Sequence, residues 1–364
     1  MTAFVTAAFR TPVMPRGGAF AGLSLQELAA PLVTACLTAG GVAPDEVADL
    51  ILSNALGAGG NPARVVALAA GLPQRVAGLT IDRQCAGGLD ALLLAQALIE
   101  AGQAEAVLAG GVESYSRRPI RLRTDPGGGP AVPYDQPPFT PWPDRDPDMA
   151  EAAARLARSL GIGRDRQDAW ALRSHAAALA AAGRMQGEIV PLLGISADGF
   201  TRHLTAAVAA RAPVISGTIT AANAAVAADG AALCLVVSDR LARRSKRALR
   251  ILGGATLGGR PEEPGLAPVA AIVRALDRAG IRAADLSLAE VMEAYAVQAI
   301  ACVEGAGLDP DLVNGGGGAL ARGHPIGASG AILAVRLFHD LHSGTGLAAI
   351  AAAGGLGTAL LLGA

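Results

Sequence analysis

The sequence predicts an α/β fold in which helices cover a buried sheet, built as two similar halves with a non-repeated insert between them. Three observations lead there. Strand-like apolar runs alternate with runs of helical spacing in the first 116 residues and again from about residue 217. From Arg118 to Pro147 that alternation gives way to proline, glycine and the aromatic residues Tyr134, Phe139 and Trp142. One unit is also echoed. A helix entered at Cys85, then a strand, then Ala109-Gly110-Gly111 return late in the chain. There, Gly327-Ala328-Ser329-Gly330 opens a helix, and a strand ends in Ala353-Gly354-Gly355.

In order, Ala3 to Ala8 reads as a strand. Leu25 to Ala39 has helical spacing and stops at Gly40-Gly41. Val47 to Ser53 is a strand, and Asn61 to Ala70 a short helix before Gly71. Gly78 to Ile81 is a strand that meets the helix carrying Ala91-Leu92-Leu93-Leu94-Ala95. Ala106 to Ala109 is a strand running into Gly110-Gly111. The irregular excursion that follows is of the kind that covers a site. Helices are expected from Met149 to Leu160, Arg164 to Ala182 and Ala331 to Leu341. Ala348 to Ala353 is too short to span a bilayer and reads as a buried strand.

Composition removes several functions. The chain has 364 residues, 52% of them hydrophobic, and a formal net charge of −1. It therefore has no global field for nucleic acid or an anionic membrane. Its four cysteines (Cys36, Cys85, Cys234, Cys302) lack CxxC spacing, and no ligand spacing links the five histidines. A reduced, cytoplasmic protein with neither a disulfide framework nor a metal site is expected. No basic segment precedes the apolar start Met1-Thr2-Ala3-Phe4-Val5, so no signal peptide is expected. Lys246 is the only lysine and sits in Arg243-Arg244-Ser245-Lys246-Arg247, a solvated turn or helix end. A P-loop, a Schiff-base aldolase and a pyridoxal enzyme each need a lysine elsewhere. No GxGxxG follows the first strand, which argues against a dinucleotide-dependent oxidoreductase.

Three segments carry possible chemistry. Cys85, in Asp82-Arg83-Gln84-Cys85-Ala86-Gly87-Gly88, stands where a strand meets a helix. Helix N-termini favour thiolate, and Gly87 and Gly88 leave room for an acyl group. A small buried cysteine filling a helix start is the other reading. His324, in Arg322-Gly323-His324-Pro325-Ile326-Gly327, precedes a helix at the equivalent place in the echo. A neutral imidazole there can take a thiol proton, or the turn can merely position the helix. The Ala353-Gly354-Gly355 turn exposes N–H groups suited to an oxyanion, or simply joins two strands.

Together these segments resemble the thiolase family of CoA-dependent acyltransferases. Ala7-Ala8-Phe9-Arg10-Thr11-Pro12, Gly59-Gly60-Asn61-Pro62-Ala63-Arg64, Gly110-Gly111-Val112-Glu113-Ser114-Tyr115-Ser116, Gly217-Thr218-Ile219-Thr220-Ala221-Ala222-Asn223 and Met292-Glu293-Ala294-Tyr295-Ala296 extend the resemblance along nearly the whole chain. It implies a five-layer αβαβα sandwich of two duplicated halves, with a loop domain inserted in the first. The expected division is 1–116, 117–250 for the loop domain and the return to the first half, and 251–364. The resemblance also implies that Cys85 accepts the acyl group, that His324 activates it, and that the Cys85 and Ala353 N–H groups form the oxyanion hole. Met292, Tyr295 and Ala225 fall at substrate-binding positions. Coenzyme A is implied as substrate and product, with no covalently bound cofactor, in a homodimer or homotetramer.

The chain departs from the family's pattern at three places. The second cysteine, which deprotonates the incoming acetyl-CoA, is replaced by Ala351. The asparagine that holds a catalytic water is replaced by Met292, and a serine that contacts CoA by Ala225. The segment between Gly187 and Gly217 is also short for the family. Acylation of Cys85 keeps its parts, while carbon–carbon bond formation loses its second base. The expected activity is acyl transfer through an acyl-cysteine: thiolysis of a 3-ketoacyl-CoA, acyl-CoA condensation, or transfer to another acceptor. A non-catalytic subunit or CoA-ester-binding protein is the alternative.

Overall fold

The structure is a computed structural model that describes residues 1–57 and 59–364. The first half comprises β1 (Ala3–Arg10), α1 (Leu25–Gly40), β2 (Asp49–Ser53), α2 (Pro62–Ala69), β3 (Leu79–Ile81), α3 (Gly87–Glu100) and β4 (Ala106–Glu113). An insert with helices α4 (Met149–Leu160) and α5 (Arg164–Ala180) follows, and β5 (Ala228–Ser238) then completes the half. The second half comprises β6 (Leu249–Gly258), α6 (Ala267–Ala279), β7 (Leu286–Val291), α7 (Ala296–Gly305), α8 (Ile326–Asp340), β8 (Thr345–Ala352) and β9 (Leu356–Gly363).

The two halves repeat one topology. Strand order is β3-β2-β4-β5-β1 in the first and β7-β8-β9-β6 in the second. β4 lies parallel to β2 and antiparallel to β5, as β8 lies parallel to β7 and antiparallel to β9. A single parallel bridge, Ala289 to Val313, stands where β3 pairs with β2. Among the described residues, two pairs, Phe4 with Arg250 and Val5 with Leu249, join the sheets.

Alternation along the strands explains the layers, because successive side chains point to opposite faces. Leu50 and Leu52 pack outward against Leu28, Leu32 and Val33 of α1, while Ile51 packs inward. Ala348 and Ile350 face inward, whereas Leu347 and Ala349 meet Ile272 and Leu276 of α6. The inner faces close on α3 and α8 through Leu89, Leu92, Ile332 and Val335. The result is a five-layer αβαβα sandwich with its two central helices between the sheets.

Glycines set the closeness of the centre, which alters three expectations. β4 runs through Gly110 and Gly111 to Glu113 instead of stopping at Ala109. A Cβ on Gly110 would lie 2.0 Å from Ala232 O, and one on Gly111 1.9 Å from Gly327 O. α8 starts at Ile326, so Gly327 to Gly330 form its first turns. Gly87 and Gly88 do not make room for an acyl group. A Cβ on Gly87 would strike Ser53 Oγ at 2.1 Å, and one on Gly88 would strike Ala331 N at 2.4 Å. Gly88 lets α3 and α8 touch backbone to backbone, and Gly87 lets α3 press against Ser53 at the end of β2.

Candidate active site

Cys85 lies two residues before α3 and His324 two residues before α8. The duplicated halves therefore present their helix entrances to each other. Cys85 Sγ is 3.2 Å from His324 Nε2. The turn before the cysteine is strained, with Gln84 at φ 50 and its N–H held by Asp82 Oδ1 at 2.8 Å. His324 is fixed by its own N–H, which donates to Val226 O at 2.8 Å. On the far side of the ring, Nδ1 is 2.6 Å from Ser329 Oγ. Ser329 gives its one hydroxyl proton to Pro325 O at 3.0 Å. We therefore assign the Nδ1–H tautomer, which turns a free Nε2 lone pair towards the thiol.

Burial pushes the Cys85 thiol up to about 12, and the Glu113 and Asp82 carboxylates add to that. Burial also takes His324 down to about 4. The resting pair is a neutral thiol on a neutral imidazole. This corrects the thiolate expected from the helix entrance: desolvation outweighs the helix terminus, and the thiol ionises only as its proton passes to His324.

Two buried carboxylates fix the surrounding loops. Glu113 accepts from Asn54 Nδ2 at 2.8 Å, Ala55 N at 3.0 Å, Leu56 N at 3.3 Å and Gly327 N at 3.1 Å. It thereby ties the first turn of α8 to the loop after β2. Glu293 accepts from Trp170 Nε1, Ser174 Oγ, Asn314 Nδ2 and Leu320 N, and so holds the 292–295 segment against the insert. Sequence reading missed Glu113 as a clamp and Ser329 as a partner. Gly-Gly-Val-Glu and the Ser329 helix turn were both visible, but their partners were not.

A pocket of about 430 Å³ opens over the cysteine. Cys85, His324, Ala351, Ala353, Ala225 and Tyr295 all border it, so the structure brings these predicted positions together. Cys85 and Ala353 belong to no helix or strand, and among the described residues neither N–H donates to a carbonyl. Ala351 presents only a methyl group to the cavity, with Ala352 beside it. Met292 does not border the pocket. Val291 faces outward, so the next residue points inward, and Met292 is buried in the central layer with Ile350 and Ala352.

The surroundings of the pocket follow from burial. Trp142 is half exposed and borders no cavity of the site, whereas Phe139 lines the pocket. Tyr134 borders a neighbouring groove instead of the nucleophile pocket. His175 is buried beside Phe200 and accepts from Arg202 N at 3.4 Å. Arg240, Arg243 and Arg244 pair with Glu105, Asp239 and Glu46 away from the pocket. Cys36, Cys234 and Cys302 are buried and free. Among the described residues, no group of three or more His, Cys, Asp or Glu could hold a metal, and no helix is long and apolar enough to cross a membrane.

Comparison with known proteins agrees with this geometry along the whole chain. Residues 3–240 match the thiolase N-terminal domain and residues 245–364 the thiolase C-terminal domain. The chain is 39% identical to a putative acetyl-CoA C-acetyltransferase, YhfS, of Bacillus subtilis, over 99% of each protein. It is 38% identical to an acetyl-CoA acetyltransferase of Shinella zoogloeoides, over 98% of each. The crystal structure of the Bacillus anthracis acetyl-CoA acetyltransferase superposes with a TM-score of 0.93 at 34% identity, covering 100% of this chain and 98% of that one. Acat5 thiolase from Ascaris suum, solved in complex with coenzyme A, gives 0.93 at 29% identity over 100% of both chains. A cysteine and a histidine facing each other from duplicated helix entrances thus sit in a chain that belongs, from end to end, to the thiolase family.

Proposed function

We propose that the protein is a thiolase-type acyltransferase that takes an acyl group from a CoA thioester onto Cys85. The observation that carries this reading is the 3.2 Å contact between Cys85 Sγ and a His324 ring whose free lone pair faces it. His324 accepts the thiol proton as sulfur attacks the thioester carbonyl, then returns it to the CoA thiolate as it leaves. The N–H groups of Cys85 and Ala353 receive the developing oxyanion.

The same reading limits the second half-reaction. Removing an α-proton from a second acyl-CoA needs another base, and Ala351 supplies none. We propose that condensation and thiolysis of 3-ketoacyl-CoA are slow, and that the acyl group passes to another acceptor. We also take the protein to act as a homodimer or homotetramer in the cytoplasm, in keeping with the family resemblance and its free cysteines.

Incubation with acetyl-CoA followed by intact-mass measurement tests the first step. An acetyl adduct on the wild type that is absent from Cys85→Ala supports it. No adduct, or one that persists in Cys85→Ala, overturns it and favours a CoA-ester-binding role.

A further inference from the structure

A second groove, of about 460 Å³, opens beside the nucleophile pocket. Tyr115, Arg118, Arg121 and Asp135 border both cavities, so Arg118 and Arg121 stand on the nucleophile pocket as well as on the groove. Arg16 joins Arg118 and Arg121 in lining the groove. Against these three guanidinium groups stands one carboxylate, Asp135, which already pairs with Arg118 at 3.1 Å. Arg121 donates to Ala55 O at 3.0 Å through one nitrogen and keeps its other donors. Arg16 is exposed, and among the described residues its guanidinium has no ion-pair partner. At the junction, the Tyr115 ring faces the Arg118 guanidinium at 5.9 Å. Its hydroxyl remains a proton donor, because burial pushes the phenol up to about 12.

Cations gathered in a cleft concentrate small anions, and guanidinium groups match carboxylates in shape as well as charge. The chemistry at the cysteine adds a second constraint. His324 is the base in contact with the Cys85 sulfur, at 3.2 Å, and an imidazole readily takes a proton from sulfur, oxygen or nitrogen. The wall at Ala351 offers nothing for a carbon acid.

We propose that this groove holds the acyl acceptor, and that the acceptor is a small carboxylate-bearing thiol, alcohol or amine. The inference rests on the acyl-Cys85 reading. The acceptor's lone pair attacks the acyl carbon, forming a new carbon–heteroatom bond, and the carbon–sulfur bond to Cys85 breaks. The acceptor's proton moves to His324 Nε2 and from there to the Cys85 sulfur. No oxidant, reductant or further reactant is consumed.

The test uses three small thiols of different charge as acceptors: 3-mercaptopropionate (anionic), 2-mercaptoethanol (neutral) and cysteamine (cationic). The protein is acetylated with acetyl-CoA and desalted, and loss of the adduct is followed by intact mass, with rates corrected for each thiol's ionised fraction. The expected result is discharge about tenfold faster with 3-mercaptopropionate than with 2-mercaptoethanol at low salt. The preference shrinks towards 1 M salt, where the screening length falls to about 3 Å. In Arg16→Gln the ratio between these two thiols falls, and the neutral thiol reports on folding within the same variant. Equal rates for all three thiols, or a ratio unchanged in Arg16→Gln, overturns the acceptor inference alone. Failure to form any Cys85 adduct overturns the acyl-enzyme reading and this inference with it.

Discussion

Replacing Gly88 by alanine separates the catalytic pair without touching either member. A Cβ at this position would stand 2.4 Å from Ala331 N, with Gly330 C at 3.1 Å and Gly330 Cα at 3.2 Å. These are backbone atoms of α8 and cannot rotate aside. Ordinary contact begins at 3.4 Å, so α3 and α8 must part by about 1 Å. Strain of this kind costs about 1–3 kcal/mol, which lowers the urea midpoint of the folded protein. The functional effect is larger. Cys85 rides two residues ahead of α3 and His324 two ahead of α8, so the 3.2 Å contact lengthens beyond hydrogen-bonding reach. A misplacement of 1 Å costs about 100-fold. Stopped-flow acetylation of Cys85 by acetyl-CoA, on protein whose circular dichroism shows it folded, is expected to slow by about that factor. Wild-type acetylation together with a wild-type urea midpoint would refute the argument that the glycine contact sets the site.

Further outcomes follow from the site. The Cys85–His324 pair by itself is expected to give a flat profile from about pH 6 to 9, because the thiol keeps its proton up to about 12 and the imidazole stays unprotonated down to about 4. Burial pushes the Glu113 carboxyl up to about 7, so a limb there belongs to Glu113 if Glu113→Gln removes it, and a limb near 7 that persists in Glu113→Gln would contradict the neutral pair. Ser329→Ala removes the partner of Nδ1 and is expected to slow acylation about tenfold, about the worth of one good hydrogen bond, with the adduct still on Cys85. Ala351→Cys puts a thiol on the pocket wall. Exchange of the acetyl-CoA methyl protons with deuterated water, read by mass spectrometry, is expected to rise at least about tenfold, towards the 10²–10⁴ of a positioned acid/base. No increase would mean that this wall does not face the second substrate.

Much of this was legible in the chain. Cys85 and His324 stand out because each combines a reactive side chain with a helix entrance framed by glycine or proline, and that local pattern survives folding. Element order could be read for the same reason, since period-two and helical spacing are local. What could not be read depends on the other side of a contact. Gly110, Gly111 and Gly330 look like turn residues until Ala232 O, Gly327 O and Leu89 N are found against them. Glu113 is 214 residues from Gly327, and nothing near either one announces the pair. Met292 shares a motif with Tyr295, yet it is buried in the central layer while Tyr295 borders the pocket, because the chain bends at Ala294 between them. The reversed ionisation of Cys85 has the same origin: the helix terminus is a local property, whereas desolvation comes from everything packed around it.

The duplicated hairpins differ in one respect that bears on how the chain assembles. β8 turns into β9 through Ala353, Gly354 and Gly355. The matching pair, β4 and β5, is separated by residues 114–227. Closing the longer connection costs more chain entropy and is reached later in folding. The second half, with its Ala353 turn, is thus the half able to form early. The nucleophile's own sheet waits for β5 to return from the insert. Hydrogen-exchange labelling during refolding would then find β8 and β9 protected before β4 and β5, with the Cys85–His324 contact completed last.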